Sequence, residues 1–221
     1  ADHLARTRRA SAHPDRLFVT NGYSQALAVV CMALARGGTR RLAVEDPSLD
    51  DAWATIRTCG LEPVPIPVDE HGIDVAALAA TDAAAVLVTP AHQFPTGVRL
   101  APDRRRALLA WATDGGRVVI EDDYDGELFP PRHRTPVLQA LAPERVVLIG
   151  SASKVLAPAL RLGWLHAPDH LVEQIRDVRW ALDSGGPALD ALTLAELIER
   201  GVLERHLRAA CRSYATRRAL L

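Results

Sequence analysis

Apolar residues in this chain gather into short unbroken runs, separated by longer stretches of mixed apolar and polar positions. Leu17-Phe18-Val19-Thr20 is one such run and closes at Asn21-Gly22. Arg41 to Val44, Ala85 to Thr89, Arg117 to Ile120, Val146 to Ile149 and Arg161 to His166 repeat the pattern. Continuous apolar runs of that length read as strands buried on both faces. The stretches between them predict helices after Gly22 through Ala35, from Leu49 to Cys59, from Asp74 to Ala80 and from Pro102 to Thr113. Pro102 suits a first helical turn, where its missing N–H is not needed. Pro63 to Val68 reads as extended and Asp69-Glu70-His71-Gly72 as a turn. From Asp169 onward the chain reads as mostly helical, with breaks at Ser184-Gly185-Gly186-Pro187 and near Gly201. Strands alternating with helices predict an α/β domain on a mainly parallel sheet with helices on both faces. Ligands of such sheets sit at the carboxyl ends of the strands. Four polar clusters fall there: Asn21 to Ser24, Pro90 to Gly97, Asp122 to Asp125, and Ser151 to Lys154.

Composition narrows the class. The 221 residues are 48% hydrophobic, enough for one large domain with a sizeable core. A formal net charge of -1 gives no electrostatic argument for nucleic-acid or membrane binding by this segment. The longest apolar run, Ala26 to Ala35, is too short to span a bilayer, and no export leader pattern is visible. Cys31, Cys59 and Cys211 are odd in number and scattered, which favours a reducing compartment. The cytoplasm is the expected location.

One count stands out: of 26 basic side chains only Lys154 is a lysine. Lysine has a primary amine that can lose its proton and attack a carbonyl, which arginine lacks. Gly150-Ser151-Ala152-Ser153-Lys154 brings two hydroxyls and this amine to a strand end, with Arg161 after a turn. Hydroxyls and a guanidinium suit a phosphate dianion, and the amine suits an aldehyde on the same ligand. Pyridoxal phosphate carries both groups. Val118-Val119-Ile120-Glu121-Asp122-Asp123-Tyr124-Asp125 adds a carboxylate at a buried strand end, suited to a protonated pyridine nitrogen, and a tyrosine suited to the ring's 3-oxygen. A Mg²⁺ or Ca²⁺ site, using these acids with Glu127, is the rival reading, and it accounts for neither Lys154 nor the hydroxyls. Asn21-Gly22-Tyr23-Ser24 opens a helix, whose free N–H groups attract anions.

Val88-Thr89-Pro90-Ala91-His92-Gln93-Phe94-Pro95-Thr96-Gly97, Glu121 to Asp125, and Gly150 to Trp164 strongly resemble the MocR-type regulators, in which a GntR-family winged helix is joined to a fold-type I aminotransferase-like domain. Glu45-Asp46-Pro47 and Tyr214-Ala215-Thr216-Arg217-Arg218 also fit. The resemblance runs from about Leu17 to the end and implies a role for each matching residue. Lys154 forms the internal aldimine, Asp122 meets the pyridine nitrogen and Tyr124 the 3-oxygen. Ser151, Ser153, Arg161 and the Gly22-Tyr23-Ser24 turn hold the phosphate. Three departures follow. Leu49 stands where aminotransferases carry a stacking aromatic. Phe94 replaces the usual asparagine, leaving His92 or Gln93 to make the polar contact. The arginine for a substrate carboxylate belongs to a C-terminal region outside this segment. The expected division is a large domain over 1–204, incomplete at its N-terminus, and the start of a truncated small domain over 205–221.

The implied function is the effector domain of a MocR/GntR transcription regulator that senses a small amino compound or amino acid. Homodimerisation is implied, with DNA contacted only through the winged helix. The alternative is a free-standing aminotransferase; this segment alone is expected to transaminate poorly. Three other patterns are set aside. Asp183 to Pro187 resembles the nucleophile segment of trypsin-like proteases, but strand–helix alternation is the wrong architecture for that family. His71, His133, His166 and His206 lack metal-ligand spacing with the cysteines. Arg104-Arg105-Arg106 reads as a solvated helix face.

Overall fold

The computed structural model describes residues 1–129, 134–186 and 188–220. Pro187 and His133, named above, lie outside them. Eight strands form one sheet: β1 (Leu17–Thr20), β2 (Arg41–Asp46), β3 (Glu62–Asp69), β4 (Gly72–Ile73), β5 (Ala85–Val88), β6 (Val118–Asp123), β7 (Val146–Ser151) and β8 (Gly163–His166), in the order β1-β8-β7-β6-β5-β2-β3-β4. The central five, from β7 to β3, run parallel. Both ends turn antiparallel, through β8 with β7 and β1, and through β4 with β3. The expected mainly parallel α/β sheet is what forms, with the antiparallel ends as a refinement. Strand β3 carries Pro63, Pro65 and Pro67 in alternation. Alternate residues share one edge of a strand, so the missing N–H groups all face away from β2.

The strands alternate their burial between two apolar layers. Leu42, Val44, Leu87, Ile120 and Ile149 pack under α2 (Gly22–Arg36), α3 (Asp50–Thr58) and α6 (Val172–Asp183). Ala43, Val86, Val88, Val119 and Val146 pack against α4 (Val75–Ala79) and α5 (Pro102–Asp114). Asp74 caps α4 by accepting from the Ala76 and Ala77 amides. Two further helices cover the turn after β7: α8 (Val202–Arg218) through buried Leu203 and Leu207, and α7 (Ala188–Glu199) through half-buried Leu194, Leu197 and Ile198. Helix α8 runs without a break across residues 204 and 205.

Besides the two-residue β4, the apolar pattern gives no sign of α1 (Asp2–Arg8). It is held from a distance: Arg8, 2% exposed, donates to both carboxylate oxygens of Asp123 at 2.5 and 2.7 Å and to the Gly126 carbonyl at 3.1 Å. The chain leaves α1 through Arg9 in the left-handed region, φ 58°. Cys31, Cys59 and Cys211 are free thiols, yet Cys31 and Cys59 pack into the same core layer. No helix among the described residues is long and apolar enough to cross a membrane.

Candidate functional site

Strands β2, β5, β6 and β7 end side by side, and their tips and the following turns enclose a cavity of about 280 Å³. Asp122, Tyr124, Ser151, Ser153 and Lys154 line it, with Tyr23 from the first turn of α2. Val44, Leu87 and Ala52 form apolar wall, and Leu49 and Phe94 also face it. Six residues singled out in the sequence therefore meet in one space, although they come from three separate segments.

Asp122 is the least settled group there. It is 7% exposed, and its Oδ1 is buried with no hydrogen-bond partner. Burial, together with Asp123, Asp125, Glu45 and Glu121, drives its carboxyl well above the ordinary range. A buried carboxylate oxygen without a donor is unfavourable unless a ligand supplies one. Its acidic neighbours are already engaged: Asp123 with Arg8, Asp125 with His92, and Glu127 with His3 and Thr7. Among the described residues no group of three or more His, Cys, Asp or Glu side chains is placed to hold a metal ion.

Tyr124 donates its hydroxyl to the His92 carbonyl at 3.1 Å. Burial, then Asp125 and Asp122, raise its phenol above the usual range. Ser151 is buried and its Oγ donates to Ser153 Oγ at 3.0 Å while accepting the Ser153 amide at 3.2 Å, which fixes the turn ahead of Lys154.

Gly22 opens α2 with φ 77°, a conformation natural to glycine. A Cβ there would lie 3.2 Å from the Arg161 guanidinium, so this arginine rests on the helix start. Gly163 gives the second close approach, because a Cβ on it would meet the Gly22 backbone at 2.9 Å. Arg161 itself sits in the left-handed region, φ 48°, so β8 begins two residues later than the apolar run suggested. Gly22, Ser24 and Arg161 stand around the α2 start and are not part of the cavity wall.

His92 and Gln93 do not line the cavity either, and their side chains have other partners. The His92 ring stacks on Phe129 with centroids 4.2 Å apart and bridges Asp125 to Arg99, whose Nε donates to it at 3.2 Å. Gln93 donates to the carbonyls of Pro47 at 2.7 Å and Phe94 at 2.6 Å, and accepts from Thr96. Both brace the loop that presents Phe94. The sequence reading assigned no role to Glu45 or Thr89, which also line the cavity. Glu45 was marked only by its place after a buried strand run and by the Glu45-Asp46-Pro47 motif.

A sheet with these strand tips, one amine and one partnerless carboxylate defines a class. The chain belongs to the aminotransferase class I and II family, which it matches over residues 1–220. Within that class its curated relatives are regulators. It is 34% identical over 221 residues to the HTH-type pyridoxine biosynthesis transcriptional regulator PdxR of Corynebacterium glutamicum, covering 100% of this chain and 48% of that protein. It is 28% identical to the probable rhizopine catabolism regulatory protein MocR of Rhizobium meliloti, over 98% of this chain and 44% of that one. The chain thus spans about half the length of the curated relatives it matches. Among solved structures, the α-aminoadipate aminotransferase LysN of Thermus thermophilus, complexed with N-(5'-phosphopyridoxyl)-L-leucine, superposes with TM-score 0.80 at 28% identity, covering 91% of this chain and 54% of that one. The MocR-type resemblance and the fold-type I expectation are both borne out.

Proposed function

We propose that this chain is the pyridoxal-phosphate-binding effector part of a MocR/GntR-type transcription regulator, built to sense a small amino compound. One observation carries the reading: the single lysine shares a cavity with a buried carboxylate oxygen that has no partner. The residues fit the cofactor. Asp122 Oδ1 awaits an N–H, as a protonated pyridine nitrogen would provide. The α2 start, with Gly22, Tyr23, Ser24 and Arg161 beside Ser151 and Ser153, supplies amides, hydroxyls and a guanidinium for a phosphate. The Thermus relative's phosphopyridoxyl complex supports the same assignment.

When bound, pyridoxal phosphate supplies an aldehyde for amine exchange and an electron-withdrawing ring. The protein supplies the rest. Lys154 Nζ would be the group that holds the cofactor's aldehyde and, when free, would be placed to carry a proton. Asp122 would keep a proton on the cofactor's ring nitrogen. Tyr124 Oη, held by the His92 carbonyl, would meet the ring oxygen. Leu49 and Phe94 supply apolar surface at the cavity's exposed side. His92 and Gln93 act from behind, by fixing the Phe94 loop.

In the longer protein, DNA contact belongs to a winged helix and the active unit is a homodimer in the cytoplasm. An amine that exchanges at Lys154 biases the protein between two arrangements. The test is to add amino acids and other primary amines to cofactor-loaded protein. The expected result is a change in the visible spectrum without release of a keto acid. Steady turnover of an amino acid with a keto acid would overturn the regulator reading in favour of a free-standing aminotransferase.

A further inference from the structure

Glu45, 3% exposed, is the last residue but one of β2 and lines the cavity with Asp122 and Lys154. Its Oε2 accepts from the Thr89 amide at 3.0 Å and the Thr89 hydroxyl at 2.6 Å, with Gln93 Nε2 at 3.5 Å. Thr89 Oγ1 also accepts the Phe94 amide at 3.3 Å. One carboxylate thus ties the tip of β2 to the loop that carries Phe94. A loop anchor alone does not require a charge, since glutamine offers the same acceptor at the same reach. Yet this acid shares the cavity with Asp122 from β6, Tyr124 just after it, Tyr23 from α2, and Lys154 from the turn after β7. Its negative charge is felt at Asp122, Tyr124 and Tyr23, each of which it makes harder to ionise.

We propose that Glu45 is a positioning residue with two tasks: its charge backs Asp122 in keeping a proton on the ring nitrogen of the bound cofactor, and its bonds to Thr89 hold the Phe94 loop against the cavity. The inference rests on the functional reading above. The physical reason is direct. A cationic ring nitrogen is favoured by nearby anions, and Asp122 supplies only one. A second buried carboxylate raises the negative potential without touching the ring. Burial pushes the Glu45 carboxyl up to about 7, against the opposing hydrogen bonds from Thr89 and Gln93, so its charge changes near neutral pH.

Two measurements on Glu45→Gln test this, with Thr89→Ala as the variant that removes the two hydroxyl bonds but keeps the carboxylate and the Thr89 amide's bond to it. The first is the ¹⁵N chemical shift of ring-labelled pyridoxal phosphate bound to the protein, followed with pH. Glu45→Gln is expected to lower the pH at which the ring nitrogen loses its proton by about one unit or more, and Thr89→Ala to lower it less, because the carboxylate stays. The second needs no cofactor: thermal stability against pH. An acid with a folded pKa above its unfolded value stabilises at low pH and loses that contribution as pH rises. The melting temperature of Glu45→Gln relative to the unaltered protein is therefore expected to rise between pH 4.5 and about 7. A bound cofactor whose ring titration is the same in Glu45→Gln overturns this inference alone, as does a stability difference that is flat with pH. Failure of the unaltered protein to bind the cofactor overturns the functional reading and this inference with it.

Discussion

Replacing Arg8 with methionine removes a guanidinium that is 2% exposed and makes four hydrogen bonds: two to Asp123, one to the Gly126 carbonyl and one to the Thr135 carbonyl at 3.2 Å. Burial pulls the Arg8 charge down and Asp123 more than restores it, so the pair depends on its own attraction. Methionine fills the space but leaves Asp123 and two carbonyls buried without donors. Breaking one side of a buried ion pair typically costs about 3–5 kcal/mol. For a domain of this size that is a fall in melting temperature of roughly 6–20 °C. Burial already raises the Asp123 carboxyl, and losing Arg8 raises it further. A raised folded pKa means the folded state binds more protons, so the loss should shrink as pH falls and Asp123 neutralises. The double variant Arg8→Met/Asp123→Leu should recover much of the stability, because replacing both partners of a buried pair is often neutral. Urea or thermal unfolding of the single and double variants at pH 5 and pH 8 reads all of this. A single variant that loses under about 1 kcal/mol, or a double variant no better than the single, would refute the reasoning.

Three further outcomes are expected. Arg9 adopts φ 58° at the end of α1, so Arg9→Gly should stabilise by about 1 kcal/mol, measured by urea unfolding. His166 is 1% exposed and its ring nitrogens face the His13 amide and the Gln139 side chain; burial, then Arg16, lower its pKa to about 4 from 6.5. A folded pKa below the unfolded one makes stability fall as pH drops through that window, by up to about 3 kcal/mol, and His166→Gln should remove this slope. Gly163→Ala places a Cβ 2.9 Å from the Gly22 backbone, so it should weaken pyridoxal phosphate binding at least tenfold in a spectroscopic titration while Lys154 stays intact.

The sequence made the parallel core legible because strands buried on both faces leave unbroken apolar runs, and β2, β5, β6 and β7 are such runs. The site was legible where chemistry singled out a residue type, as with the lone Lys154, or where a polar cluster followed a strand, as with Asp122. Long-range pairing left no such trace. Arg8 and Asp123 are 115 positions apart, and Arg8 is one of three arginines within four residues, so nothing local marked it as buried. Helix α1 has seven residues and a weak apolar pattern; packing, rather than propensity, holds it. His92 and Gln93 carried the right motif, but the turn geometry points their side chains at Asp125 and Pro47, away from the cavity. The antiparallel β8 followed from the Arg161 turn, which an apolar run cannot disclose.

Trapping the amine is the sharpest test of Lys154 as the residue that binds the cofactor. The protein is incubated with pyridoxal phosphate, reduced with borohydride, digested and mapped by mass spectrometry. A phosphopyridoxyl group on Lys154, absent from Lys154→Arg, is the expected result. A label found only on the terminal amino group, or none at all, would contradict it.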